Sequence, residues 1–273
     1  MSSNLIGNEI EDILQESVEN AGDELLFIDP SAAAVEALVE LGTEFEGDLP
    51  TVKLLADERM LKDVMDDFLV ASNAADLVEA GNLEIKNLDE ETDNALLVTE
   101  ESVVAVVTAG DAVAGLSTDD EEFVSIAYED YSDRFAAAEA FNLRTPAISR
   151  VRETMTDDIS EQARTDFDTV LQSLETARGD GDGLDEVTIS LLVAAKNDVL
   201  LYDISKWGED VGIASKATFS RTKTRLEELG LIDTEKVPID VGRPRLRLKL
   251  GDDRLHDADA EELASVAQSM IAS

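Results

Sequence analysis

The chain has 273 residues, 44% of them apolar, which gives room for two ordinary domains with proper cores. It carries 62 acidic residues against 22 basic ones, a net charge of −40, and no cysteine, so disulfides, thiolate zinc sites and thiol catalysis are excluded. No run approaches the roughly 18–20 apolar residues of a membrane span, and Met1–Ser2–Ser3–Asn4 lacks the basic start of a secretory signal, so a cytoplasmic protein is expected.

In chain order, Ile6 to Ala21 reads as an amphipathic helix with Ile10, Ile13 and Leu14 on one side. Glu24 to Asp29 is a short apolar run ending at Pro30, the pattern of a buried strand. Ser31 can cap a helix from Ala32 to Leu41, and Thr51 to Asp57 is a second strand. A helical stretch from Glu58 to Ala80, with a break expected near Ser72–Asn73, carries Leu61, Val64, Met65, Phe68 and Leu69 at helical spacing. Leu83 to Leu88, Ala95 to Thr99 and Val103 to Thr108 are three more strands, the first two separated by the acidic turn Asp89–Glu90–Glu91–Thr92–Asp93. Phe123 to Leu143 is a second long helix. Residues 1–145 therefore form an α/β regulatory or sensor-like domain.

That domain shows no catalytic apparatus. The one histidine, His256, lies near the C-terminus, and neither a GxGxxG nor a GK[ST] phosphate loop occurs. Asp29, Asp57 and Asp111 can lie at strand ends, but chance placement explains them better in so acidic a chain. Asp180–Gly181–Asp182–Gly183 brushes a calcium-loop pattern, with Leu184 and Leu191 where ligands are required. No enzyme, metal site or cofactor is expected.

Residues 146–182 are a helical connector and linker. Ile159, Ala163, Phe167, Val170, Leu171 and Leu174 recur at three- and four-residue steps, a narrow apolar stripe that suits a dimerisation helix. Packing on the sensor domain is the duller alternative. A C-terminal helix, residues 251–273, carries a second stripe through Leu263, Val266, Met270 and Ile271.

Residues 183–250 read as helix (Asp185 to Ala195), helix (Leu200 to Val211), tight turn (Gly212–Ile213–Ala214) and a third helix from Ser215 to Leu229. Gly230 stands where a left-handed C-cap is needed. Two strands follow, Leu231 to Ile239 and Arg245 to Leu250, joined by a basic tip. That is the order of a winged helix-turn-helix. Ser215 is the N-cap, and Phe219, Leu226 and Leu229 share an inward face. The remaining polar positions are the candidate DNA contacts: Ser215, Lys216, Thr218, Ser220, Arg221, Thr222, Lys223 and Arg225 on the helix, with Arg243 and Arg245 at the wing. Their donors match phosphate oxygens and purine N7 and O6.

Charge distribution supports the same partner, double-stranded DNA. Residues 1–130 hold 34 acidic groups against four basic ones, whereas residues 212–249 hold nine basic against five acidic. The acidic excess elsewhere suits a protein working in molar salt, where the Debye length is about 3 Å. An acidic adaptor whose winged helix binds protein is the alternative.

The Ser215–Leu250 segment, with Leu-Glu-Glu-Leu-Gly-Leu-Ile and Gly-Arg-Pro-Arg, resembles archaeal winged-helix regulators, and the whole chain resembles the haloarchaeal TbsP type, similar in function to TrmB-type sugar regulators. The resemblance implies a transcription factor of central carbon metabolism (glycolysis and gluconeogenesis); the two apolar stripes flanking the winged helix suit a homodimer whose recognition helices meet successive major grooves, and a small-molecule effector or protein partner is expected at the N-terminal domain. The chain departs from the usual reading-helix pattern at Lys223, a position that is often apolar. The first domain looks similar to sensor halves related to phospholipase D folds, without the catalytic histidines of those enzymes.

Overall fold

A computed structural model describes residues 9–45, 47–88, 92–110, 112–174, 176–178, 183–238 and 244–272. The chain divides into two compact units, residues 1–66 with 73–143, and residues 67–72 with 144–273.

The first unit begins with α1 (Ile10–Glu19), β1 (Glu24–Ile28), α2 (Ala32–Glu44) and β2 (Thr51–Ala56). Next come α3 (Glu58–Val64), α4 (Phe68–Glu79, whose first turn to Ser72 belongs to the second unit), β3 (Leu83–Asn87), β4 (Ala95–Val98), β5 (Val103–Ala109), β6 (Ala112–Thr118) and α5 (Glu121–Ala137). The strands form one mixed sheet in the order β3-β2-β1-β4-β5-β6. β1 pairs parallel with β2, and β2 with β3, while β4, β5 and β6 extend the sheet antiparallel. Leu25 to Ile28 of β1 are all buried, as a central strand covered on both faces must be. One side of that covering is α5, whose Val124 and Phe135 pack with Leu26, Ile28, Val98 and Val103.

Caps set the helix starts. Ser31 Oγ accepts from Ala34 N at 3.3 Å, and Asp57 Oδ1 accepts from Met60 N at 2.8 Å. The expected break at Ser72–Asn73 falls instead between Val64 and Phe68. There Asp67, 2% exposed, accepts from Leu69 N at 2.9 Å and so starts α4, while Ser72 sits within the helix with its hydroxyl turned to Leu69 O. The same carboxylate accepts from Ala177 N at 3.3 Å and faces Arg178 Nε at 3.5 Å. α5 is shorter than the expected helix to Leu143. After Ala137 the chain runs beside β3, with Asn87 N donating to Glu139 O and Phe141 N to Ile85 O. β6 is a strand that the alanines and Gly115 of its sequence conceal.

The second unit comprises α6 (Ile148–Asp158), α7 (Glu161–Gln172), α8 (Glu186–Lys196), α9 (Leu201–Val211), α10 (Lys216–Glu228), β7 (Ile232–Val237), β8 (Arg245–Leu250), α11 (Asp253–Asp257) and α12 (Ala260–Ile271). α6 lies within the expected helical connector, ahead of the Ile159–Leu174 stripe, with Ile148, Val151 and Met155 buried at steps of three and four. The stripe expected at a dimer seam is spent inside the chain. Ala163, Phe167, Val170 and Leu171 are buried, α7 packs against α12, and Leu263, Ala264 and Ala267 join the same core. Phe167 is 0% exposed and meets Phe68 edge-on at 6.4 Å. The α7 stripe therefore has a partner helix already, and the expectation of a dimerisation helix there is corrected. Among the described residues, no helix is long and apolar enough to cross a membrane.

Candidate nucleic-acid interface

α8, α9 and α10 pack around Trp207, Phe219 and Leu226, all at most 1% exposed. Trp207 Nε1 donates to Thr154 Oγ1 at 2.9 Å, which ties α6 to α9. Gly208 permits the close crossing of α9 and α10, since a Cβ there would lie 2.3 Å from the Phe219 ring. The turn between them begins at Gly212 with φ 98°, in the left-handed region that glycine adopts without strain.

α10 starts where Ser215 Oγ accepts from Thr218 N at 3.2 Å. It ends in a Schellman motif, with Leu231 N bonded to Leu226 O and Gly230 N to Glu227 O, at 2.9 and 3.0 Å. Phe219 and Leu226 are buried as expected, but Leu229 is 38% exposed and corrects its assignment to the inward face. As the C-cap residue it lies beyond the last helical turn that faces the core.

The wing is a two-stranded ribbon, β7 antiparallel to β8, with Leu200 bridging to Arg247 alongside it. Arg243 lies outside the described residues. Arg245 stacks over the Tyr202 ring at 4.4 Å and stands 3.5 Å from Asp203 Oδ1.

The basic residues of this surface fall into two groups. Lys216 Nζ is 2.5 Å from Glu209 Oε2, and that hydrogen bond holds the lysine pKa above its ordinary value and the glutamate below. Lys223 is only 12% exposed, and its ammonium sits 2.6 Å from Glu227 Oε2. Glu227 Oε1 in turn accepts from Thr234 Oγ1 at 3.0 Å, so this lysine joins α10 to β7 and is not aimed at solvent. Arg245, Arg247 and Lys249 each face a carboxylate, Asp203, Glu235 and Asp198 respectively.

Arg221 and Arg225 form the second group. Both are exposed, one helical turn apart, and neither makes an ion pair among the described residues. Arg221 Nη2 donates to Thr218 Oγ1 at 3.3 Å, which steadies the guanidinium on the exposed face. Ser220 is exposed beside them, and Thr222 is half-buried. The carboxylate partners were missed in the sequence. Only the Lys223–Glu227 pair, at helical i,i+4 spacing, had a local signal. Lys236 of β7 is a further exposed cation, absent from the candidate contacts.

The first unit has an open cleft of about 600 Å³ lined by Glu100, Glu101, Asp119, Glu121, Glu129 and Tyr128 among others, with no basic residue in its lining. An anionic metabolite is repelled from such a lining.

Three short helices, a tight glycine turn and a β-ribbon define a winged helix-turn-helix protein, with an α/β domain ahead of it. The chain belongs to the TbsP-like transcriptional regulators: the model of the N-terminal domain of that family matches residues 2–146, and that of its C-terminal helix-turn-helix domain residues 147–268. No curated protein matches the chain. Among solved structures, it is similar to TrmBL2, an archaeal chromatin protein described as showing a novel mode of DNA binding, at 19% identity and a TM-score of 0.35. That overlap covers 50% of this chain and 53% of TrmBL2, so the chain spans about half the length of that protein. It is also similar to NucT from Helicobacter pylori, at 11% identity and a TM-score of 0.34 over 52% of this chain and 99% of that one.

Proposed function

We propose that this chain regulates transcription by binding double-stranded DNA in a sequence-specific way, with α10 in the major groove and the wing on the backbone. One observation carries the reading. On a chain of net charge −40, Arg221 and Arg225 stand side by side on the exposed face of α10 with no carboxylate partner among the described residues. Guanidinium groups so placed match the O6 and N7 acceptors of guanine and the phosphates flanking them. Ser215, Thr218, Ser220 and Thr222 supply shorter donors along the same helix, and Lys216, Lys223 and Arg245 reach DNA only by exchanging a carboxylate for a phosphate.

The targets proposed are genes of central carbon metabolism, a reading supported by the resemblance to TrmB-type sugar regulators. The composition supports a cytoplasmic protein working in molar salt. The acidic lining of the first unit's cleft favours a cationic or neutral effector, or a protein, over a phosphorylated metabolite.

Selection of sheared genomic fragments by the purified chain in molar potassium salt tests the reading. Convergence on a shared sequence, lost in the Arg221→Ala, Arg225→Ala double variant, is the expected result. Recovery of no common sequence would support the acidic adaptor instead.

A further inference from the structure

Tyr202 is 48% exposed in the first turn of α9, and burial does not account for a ring there. Its neighbours do. Arg245, the first residue of β8, has its guanidinium carbon 4.4 Å from the centre of the ring. From Tyr202 the exposed face of α9 continues through Lys206 and Glu209, at helical spacing, and Glu209 bonds to Lys216 at the start of α10. One face of α9 thus joins the wing to the reading helix, with Tyr202 at its wing end.

The two contacts of Arg245 act differently on its charge. Asp203 Oδ1, 3.5 Å from Nη1, neutralises it, whereas the ring attracts the cation and leaves the charge in place. The carboxylate is also held loosely, since Lys206, Lys216, Lys223 and Lys249 each have theirs at 2.5–2.6 Å. Asp203 has a second positive neighbour. It lies in the first turn of α9, where the N-cap Leu200 supplies no side-chain bond, so the helix N-terminus favours the carboxylate when the arginine leaves. In β8, Arg245, Arg247 and Lys249 share the face opposite the buried Leu248 and Leu250. Of these three, Arg245 alone has an aromatic contact among the described residues.

We infer, resting on the proposed binding of DNA by α10 and the wing, that Tyr202 is a positioning residue for that binding. Its ring holds the Arg245 guanidinium at the wing while Asp203 gives way to a backbone phosphate. Without the ring, an arginine released by Asp203 regains its rotamer freedom, and the phosphate alone has to order it. A phosphate contact carries no sequence information, so the ring contributes to affinity for every duplex and not to base preference.

The test is binding of a duplex selected from genomic fragments, and of its scrambled version, across a potassium salt series. Arg245→Ala should weaken both duplexes alike and lower the salt slope by about one charge. Tyr202→Leu should weaken both about fivefold, and the Tyr202→Leu, Arg245→Ala double variant should lose no more than Arg245→Ala alone. Tyr202→Phe keeps the ring and should restore the parent's affinity, while Asp203→Asn removes the competing carboxylate and should tighten both duplexes. In the DNA-free chain, the ring current should shift the Arg245 Nε–H proton resonance. That shift should vanish in Tyr202→Leu with the rest of the spectrum unchanged, which also shows the variant to be folded. Additive losses in the double variant, or a loss in Tyr202→Phe as large as in Tyr202→Leu, would overturn the inference and leave DNA binding standing. A parent chain that binds neither duplex would overturn the DNA reading and this inference together.

Discussion

Gly208 and Phe219 show how closely single residues determine this surface. The ring is fully buried, so it has no free space in which to yield to a methyl group placed 2.3 Å away. Gly208→Ala should therefore lower stability by about 1–3 kcal/mol, read as a drop in the thermal midpoint with DNA affinity falling in parallel. Lys223 gives a different contrast. Its ammonium is held by Glu227, so Lys223→Ala should leave the preference for cognate over scrambled duplex unchanged and cost about 1–3 kcal/mol of stability by leaving the half-buried Glu227 unpaired. A change in the preferred base, measured by competition binding, would mean that the pair opens on DNA. At this scale the local devices were legible in the sequence: the Ser215 cap and the Gly230 stop rest on neighbours a few residues away. The pairing of Lys216 with Glu209 and of Arg245 with Asp203 was not, because packing of separate elements creates it.

Among the elements, α7 carries the clearest lesson. Its stripe at Ala163, Phe167, Val170 and Leu171 announced a partner helix, but periodicity does not say which helix that is. The partner is α12 of the same chain, so a charge there strikes the core of the second unit and not a subunit seam. Phe167→Ala should cost about 3–5 kcal/mol in denaturant titration, and Phe167→Glu should melt the second unit instead of yielding folded monomers. A folded Phe167→Glu monomer, seen by circular dichroism and light scattering together, would restore the seam. Other elements escaped the sequence for identifiable reasons. β6 is written in alanine, glycine and small polar residues and becomes a strand through its register with β5. The break before α4 depends on Asp67 receiving the distant Ala177 N–H. The segment after Ala137 looks helical in composition, yet the backbone groups of β3 draw it into extended pairing.

For the molecule as a whole, charge decides both stability and partner. In the first 130 residues, 34 acidic groups face four basic ones, so little of the repulsion is relieved by internal pairing. At about 0.1 M salt the screening length grows to about 10 Å, and repulsion then acts between neighbouring surface groups. The thermal midpoint should fall steadily as salt is lowered from 3 to 0.1 M. A melt that does not change over that range would remove molar salt from the account. The same charge makes binding to DNA depend on a few uncompensated cations. Arg243 lies outside the described residues; its place between Gly242 and Pro244 in the sequence suits contact with the backbone or minor groove, so Arg243→Ala should weaken all sequences alike and lower the salt slope by about one charge. Arg221 stands on the reading face. The most direct measurement is the affinity of Arg221→Ala for cognate and scrambled duplexes across a salt series. A loss of about 1–3 kcal/mol confined to the cognate duplex is predicted, and equal losses on both would contradict α10 as the reader.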